Sequence, residues 1–328
     1  MTNKNLKLKV LASIFILTLA IMSTPASVQN VQSLTVFITS KTNKETFYLR
    51  EKVKIEGNIT IDGSPLTNAL ILTEITDPSG IPIIYETIVH GNFSEPLPIE
   101  ITDIYLTDFS NNPLNTVKTG MAIRVCMTIH NPQLVSREIF ATVTVYDANM
   151  VPLQVGYLTT TINPEQTITP KFTVYIPEWA TSGKALIVGN VYNDEPKSGG
   201  LAYALPKKRY YYLSRCQKGY LDLPELPLPQ PQSTPGKFET YLTLPPDPRP
   251  GTYKVDLTCQ VDPLTFCSTS TTFNVEQTSG YPPQASFIYW PAKPYVNMTV
   301  QFDASSSTPE GFNDTIIRYE WTSETEQK

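Results

Sequence analysis

An all-β chain of tandem immunoglobulin-like β-sandwiches is what this sequence predicts, and three observations predict it. Short Thr-rich runs alternate apolar and polar residues and are broken by Pro and Asn, the pattern of half-buried strands bounded by turns. Pro is abundant at 29 residues while Gly is modest at 15, which suits short strands with frequent stops. Beyond the first 27 residues, no window of a dozen carries the i, i+3, i+4, i+7 apolar stripe of an amphipathic helix. Helix is therefore expected to be nearly absent.

The first element sets the compartment. Lys4, Lys7 and Lys9 precede the apolar run VLASIFILTLAIM, which is followed by the small-residue stretch STPAS. A basic region, a short apolar region and small residues at the cut describe a secretory signal peptide over residues 1–27. Thirteen helical residues rise only about 20 Å, short of the roughly 30 Å a spanning helix must cross, which disfavours an uncleaved anchor. Removing those three Lys moves the net charge from −5 to −8. A mildly acidic surface argues against nucleic acid, which needs a basic stripe. The roughly 300 residues that remain suit two or three domains.

The first module is expected over residues 31–95. Val53, Ile55 and Gly57 alternate with Lys52, Lys54 and Glu56; the runs DGSP and DPSG supply turns, and IPIIYETI supplies a strand. The stretch YLREKVKIEGNIT…GSPLTNALILTEITDPSG resembles the macroglobulin-like and bacterial Ig-like domains of surface proteins. It departs from their pattern at Arg50, where they have Gly, and at Leu66, where Val is usual.

A second module is expected over residues 97–277. Met121, Ile123, Val125, Met127 and Ile129 share one strand face, and Arg124, Cys126, Thr128 and His130 the other. Ala141, Val143 and Val145 repeat the device, as do Phe172, Val174 and Ile176. Such alternation predicts a sheet with one packed and one wet face. Residues 99–192 are similar to the CARDB or fibronectin-type sandwiches of archaeal secreted proteins. Residues 194–236 read as an insertion ending in the Pro-rich run LPELPLPQPQSTPG, which should be extended. The run from Phe238 to Val255 resembles the closing hairpin of the same sandwich families and is assigned to this second module.

Residues 281–328 resemble the first half of a PKD domain, an extracellular Ig-like sandwich. The family's motif falls on Ala285, Phe287, Pro291, Val300, Phe302, Asp303, Ala304, Ser305, Ser307, Ile317, Tyr319 and Trp321. Ser307, Thr308, Pro309, Glu310 and Gly311 stand where the family has an acidic turn, and its remaining strands are expected beyond Lys328.

Four cysteines are the clearest side-chain candidates. Parity places Cys259 and Cys267 on the apolar face of two strands joined by the turn VDPLT, as direct cross-strand neighbours. In an oxidising compartment that favours a disulfide, worth roughly 2.5 kcal/mol for so short a loop, with two buried thiols as the alternative. Cys126 and Cys216 are left as the simplest second pair among three connectivities. Asn58, Asn92, Asn297 and Asn313 begin N-x-S/T sequons, permissible in a secreted chain. The run KKRYYY suggests a sugar or polyanion site, but reads first as a strand with tyrosines inward. His90 and His130 stand alone, and no metal-ligand spacing, nucleophile motif or carboxylate pair is found. Asp303 reads as a turn cap.

The expected function is accordingly an exported, extracellular or cell-surface structural or adhesive protein, with no cofactor and no catalysis. Other surface proteins or envelope glycans are its possible partners. The alternative is the non-catalytic stalk or carbohydrate-binding region of a secreted hydrolase. Fold cannot separate the two.

Overall fold

The computed structural model describes residues 34–214, 234–276, 286–290, 299–304 and 307. The segment expected as a signal peptide, Cys216, the Pro-rich run before Thr234, Asn297, Asn313 and the motif positions Ala285, Pro291, Ser305, Ile317, Tyr319 and Trp321 lie outside the described residues. Regular structure in the described residues is all β, apart from one 3-10 turn at Pro196–Ser198.

The alternation around Val53 and Ile55 produces the opening strands: β1 (Val36–Thr42), β2 (Thr46–Phe47), β3 (Lys52–Ile61), β4 (Ser64–Pro65), β5 (Ala69–Thr76) and β6 (Pro82–His90). Asp62 and Gly63 link β3 to β4 with φ of 50° and 78°, the positive values a two-residue hairpin demands at both positions. Arg50, standing where the resembling pattern has Gly, also adopts a positive φ of 58°. In the DPSG turn, Asp77 Oδ1 accepts from Ser79 N and Ile81 N.

The next ten strands form a complete sandwich of their own. They are β7 (Glu100–Thr107), β8 (Pro113–Leu114), β9 (Thr116–Lys118), β10 (Ala122–His130), β11 (Arg137–Tyr146), β12 (Pro152–Ile162), β13 (Thr167–Ile168), β14 (Lys171–Tyr175), β15 (Gly183–Tyr192) and β16 (Lys207–Ser214). One sheet runs β13–β10–β7–β8 with β14 also on β10; the other runs β12–β11–β15–β16–β9. Ile123, Val125, Met127, Ile129, Phe172, Val174 and Ile176 meet Ala141, Val143 and Val145 in its core, as their alternation predicts. Met121 instead lies outside the strand, 39% exposed. The KKRYYY run is β16, an integral strand that pairs with β15, so the segment after Asn193 is not purely an insertion. Tyr211 and Leu213 point into this core.

The last long strands correct the domain boundaries. β17 (Lys237–Thr243) pairs with β3, setting Leu242 opposite Val53, and β18 (Gly251–Gln260) pairs with β5, setting Leu257 opposite Thr73. β19 (Phe266–Val275) follows as the partner of β18. Residues 237–275 therefore belong to the first sandwich, whose sheets run β1–β3–β17 and β2–β19–β18–β5–β6. The second sandwich is inserted between β6 and β17. The physical reason lies in β5, buried at every position and hence in need of a strand on each side, which residues 31–95 alone do not supply.

The face expected to be wet is buried too. Phe140, Thr142, Thr144 and Tyr146 of β11 and Leu186, Val188, Asn190 and Tyr192 of β15 alternate with the core positions, yet all eight are buried. They carry the first sandwich. Tyr146, Leu186 and Val188 complete its core, packed with Val53, Ile55, Leu242 and Val255.

Further along, β20 (Ile288–Trp290) and β21 (Gln301–Asp303) form a hairpin with Tyr289 opposite Phe302. The Phe302 ring lies 6.0 Å from Phe287 and 6.1 Å from Tyr289.

Candidate functional site: the joint between the sandwiches

β6 is the last strand of its sheet, so one of its edges has no strand to pair with. Side chains of the second sandwich take that place. Tyr85 N donates to Thr144 Oγ1 at 3.0 Å, and the same hydroxyl donates to Tyr85 O at 2.9 Å. Asn190 Oδ1 accepts from Thr87 N at 3.1 Å, while its Nδ2 donates to Tyr85 O at 3.1 Å. Thr87 Oγ1 donates to Tyr192 OH at 3.1 Å. A buried amide or carbonyl left unmade would cost about 1–3 kcal/mol, so these polar residues are what let a strand edge be buried on a sheet face.

Around them lies an aromatic cluster. The Tyr85 ring meets Phe140 edge-on at 5.5 Å, Tyr157 at 6.3 Å and Tyr192 at 6.5 Å, over Leu70, Leu72 and Ala202. Ala202 is fixed from the first sandwich, since its N donates to Gln260 Oε1 at 2.7 Å and its O accepts from Gln260 Nε2 at 3.3 Å.

Charges complete the joint. The Glu74 side chain is fully buried; it accepts from Lys197 N at 2.9 Å and from Tyr85 OH at 3.4 Å, with Lys197 Nζ at 3.3 Å. Burial holds the Glu74 carboxyl above the usual carboxylate range, outweighing the pull of Lys197 in the other direction. Glu86 joins Lys208 at 3.1 Å and accepts from Thr240 Oγ1 at 3.2 Å, tying β6, β16 and β17 together. Burial also drives the Tyr85 and Tyr192 phenols well above their ordinary range.

A carboxyl with a raised folded pKa contributes most below its unfolded value and loses that contribution as pH rises through the folded one. Replacing Lys197 with Met removes the counter-charge and raises Glu74 further. The variant is expected to be less stable by about 1–2 kcal/mol near neutral pH, allowing for solvent screening of the partly exposed Lys197. The gap should narrow towards pH 5 and widen towards pH 8. Urea titrations across that range check it, and a gap that widens towards acid would contradict it.

Two clefts flank the joint. One of about 500 Å³ lies beside β6 and β17, lined by Lys41, Lys54, Glu56, Asn58, His90 and Glu239 among others. Four of its charges are mutually paired: Lys54 lies 2.8 Å from Glu56 and 2.9 Å from Glu239, and Lys41 3.4 Å from Glu56. His90 is buried there with Nε2 3.2 Å from Leu66 O, and burial lowers its pKa. The other, of about 140 Å³, contains Asp147, whose oxygens accept from Asn149 N, Val151 N and Thr181 N.

The residues singled out from the sequence are scattered. Cys259 and Cys267 are directly opposite across β18 and β19, as parity predicts, but both are free thiols. Val261 N donates to Thr265 O, and alternation from that rung makes the cysteine rung the hydrogen-bonded, wider one, where side chains stand further apart. Burial pushes the Cys259 thiol up to about 12. Cys126 is also free, buried beside Thr107 Oγ1 at 3.7 Å. Asn58 lies exposed in β3 and Asn92 exposed after β6. His130 sits 3.0 Å from Thr167 Oγ1, and Asp303 ends β21. The joint itself was not anticipated. Its signal was available: Phe140, Tyr146, Leu186 and Val188 put apolar residues on the second face of β11 and β15.

No protein-family model and no curated sequence matches the chain. Similar solved structures include the C-terminal domain of Wzt, at 9% identity over 38% of this chain and 78% of that one, with a TM-score of 0.31. A Bacteroides uniformis beta-glucuronidase is similar at 7% identity over 50% of this chain and 26% of that one, TM-score 0.28. The Pseudomonas fluorescens alkylpurine DNA glycosylase AlkC is similar at 11% identity over 37% and 32%, TM-score 0.26. The chain spans under a third of the length of the last two.

Proposed function

We propose that this chain is an exported structural or adhesive protein of the cell surface, in which two sandwiches act as one stiff, non-catalytic unit. The joint carries the reading. Glu74, Glu86, Tyr85 and Thr87 of the first sandwich are bonded to Lys197, Lys208, Thr144, Asn190 and Tyr192 of the second, an arrangement that suits holding two modules in a fixed relation. The basic, apolar and small-residue order of residues 1–27 supports export, and the remaining acidic balance supports a soluble exterior. Contacts with neighbouring proteins or envelope glycans would be made by exposed strand edges and loops.

Expression in the native host with fractionation tests this reading. The protein is expected on intact cells or in the medium, digestible by added protease, with an N-terminus at Ser27 or Val28. Recovery only from the cytosol with Met1 retained would overturn it.

A further inference from the structure

The smaller cleft beside the joint is built by both sandwiches. Arg50, between β2 and β3, and Thr243, at the end of β17, enter from the first. Asn149, in the β11–β12 turn, and Trp179 and Thr181, in the β14–β15 turn, enter from the second. Small-molecule sites favour such boundaries between modules. This one is braced before anything enters it. Asp147 is buried, and its carboxylate accepts from three backbone amides, which fixes the two turns against each other. Asn149 extends the brace: its Nδ2 donates to Thr181 Oγ1 at 3.2 Å, and its backbone carbonyl accepts from Thr243 Oγ1 at 2.8 Å.

One flat apolar surface and a set of neutral polar atoms are left over for a ligand. Trp179 is 40% exposed, and its indole N–H has no partner among the described residues. An open indole on a braced turn gives a face on which a ring can lie. Asn149 keeps its side-chain oxygen as an acceptor, and Thr181 keeps its hydroxyl proton as a donor. Thr243 Oγ1, already donating to Asn149 O, can still accept. Charge is committed elsewhere. Asp147, the one carboxylate of the lining, is held by amides, and Arg50 already has a partner. Donors and acceptors side by side without free charge match a hydroxyl, which gives and takes at once. A pyranose carries hydroxyls round its rim and a face of C–H groups that stacks on an indole. The volume, about 140 Å³ against the roughly 300–1,000 Å³ of drug-sized sites, suits one such ring rather than a chain.

We propose that this cleft binds a single neutral hexopyranose unit, such as the terminal residue of a glycan. The sugar stacks on Trp179 and is hydrogen-bonded by Asn149, Thr181 and Thr243. The larger cleft lacks this combination, because the aromatic in its lining, Phe238, is buried. Since the lining comes from both sandwiches, a bound sugar also ties them together. The inference goes beyond the surface role and stands without it, being a property of the folded chain wherever that chain is located.

NMR titration of the purified chain with the methyl glycosides of glucose, galactose, mannose and N-acetylglucosamine, each to about 100 mM, tests it. A ligand of about a dozen non-hydrogen atoms and ordinary efficiency binds in the millimolar range. At least one glycoside should therefore shift the Trp179 indole and Thr181 amide signals, with a Kd of roughly 1–10 mM. Trp179→Ala should weaken that glycoside at least about tenfold while the amide signals of the β10 and β11 core stay in place. Thr181→Val, which keeps the shape and removes one hydroxyl, should weaken it about threefold or more. Trp290→Ala, at an exposed indole on β20, should leave binding unchanged. If no glycoside binds, or if both cleft variants bind as the wild type does, the proposal is overturned. Binding of methyl glucuronide alone would also overturn it, since the site would then be one for anions.

Discussion

Replacing Tyr85 with Ala is expected to lower the melting temperature by about 10 °C, the largest effect of any single substitution in the joint. The side chain is fully buried, and its ring meets three other aromatic rings from the second sandwich. Truncating a buried aromatic costs about 3–5 kcal/mol, from lost transfer energy and from the cavity left behind. The loss has a second part, since Tyr85 OH is one of the donors to buried Glu74. Tyr85→Phe separates the two. It keeps the ring contacts and removes only a 3.4 Å hydrogen bond, so about 1 kcal/mol or less should be lost. The backbone bonds to Thr144 and Asn190 survive in both variants. Calorimetry should show a broader transition for the alanine variant, because one of the contacts that couple the sandwiches has been cut. An alanine variant within about 1 kcal/mol of wild type would show that the ring cluster is not what joins them.

That result bears on how far the sequence could be read. Strands and turns were legible because they depend on local patterns: Val53 and Ile55 alternate with lysines, and Asp62–Gly63 is a turn in any setting. Facing was legible as well, since Ile123, Val125 and Val143 do point into one core. Partnership was not. The period of two states which face a residue takes, and says nothing of which strand lies alongside, so sequence order alone groups β17 and β18 with the nearer module. The joint was hidden for a related reason. Thr142, Thr144 and Asn190 look like residues of a wet face, and only the edge amides of β6 explain why they are buried. The cysteine pair marks a different limit: parity put Cys259 opposite Cys267, but not the type of rung they share.

The insertion of one sandwich into the other makes the two unequal, and cutting the chain should expose this. Residues 97–214 are continuous and enclose their own core, from Ile123 and Val125 to Val143 and Tyr211. Expressed alone, they are expected to fold cooperatively. The fragment should bind a hydrophobic dye, because Phe140, Tyr146, Leu186 and Val188 become exposed on one face. The first sandwich, rebuilt by joining residues 35–92 to 235–276 through a flexible linker, is expected to fail. It loses Tyr146, Leu186 and Val188 from its core, each worth about 1.5–3 kcal/mol when fully buried. It also loses the Thr144 and Asn190 side chains that complete the β6 edge. Together these approach the roughly 5–15 kcal/mol that holds a whole domain folded. Circular dichroism melts of the two fragments should therefore give a sigmoid for the inserted sandwich and a shallow slope for the other. Adding the inserted fragment to the rebuilt one should restore a cooperative transition, since it supplies the missing face. If the rebuilt sandwich instead melts cooperatively by itself, at the temperature of the intact chain, the face of β11 and β15 is not part of its core.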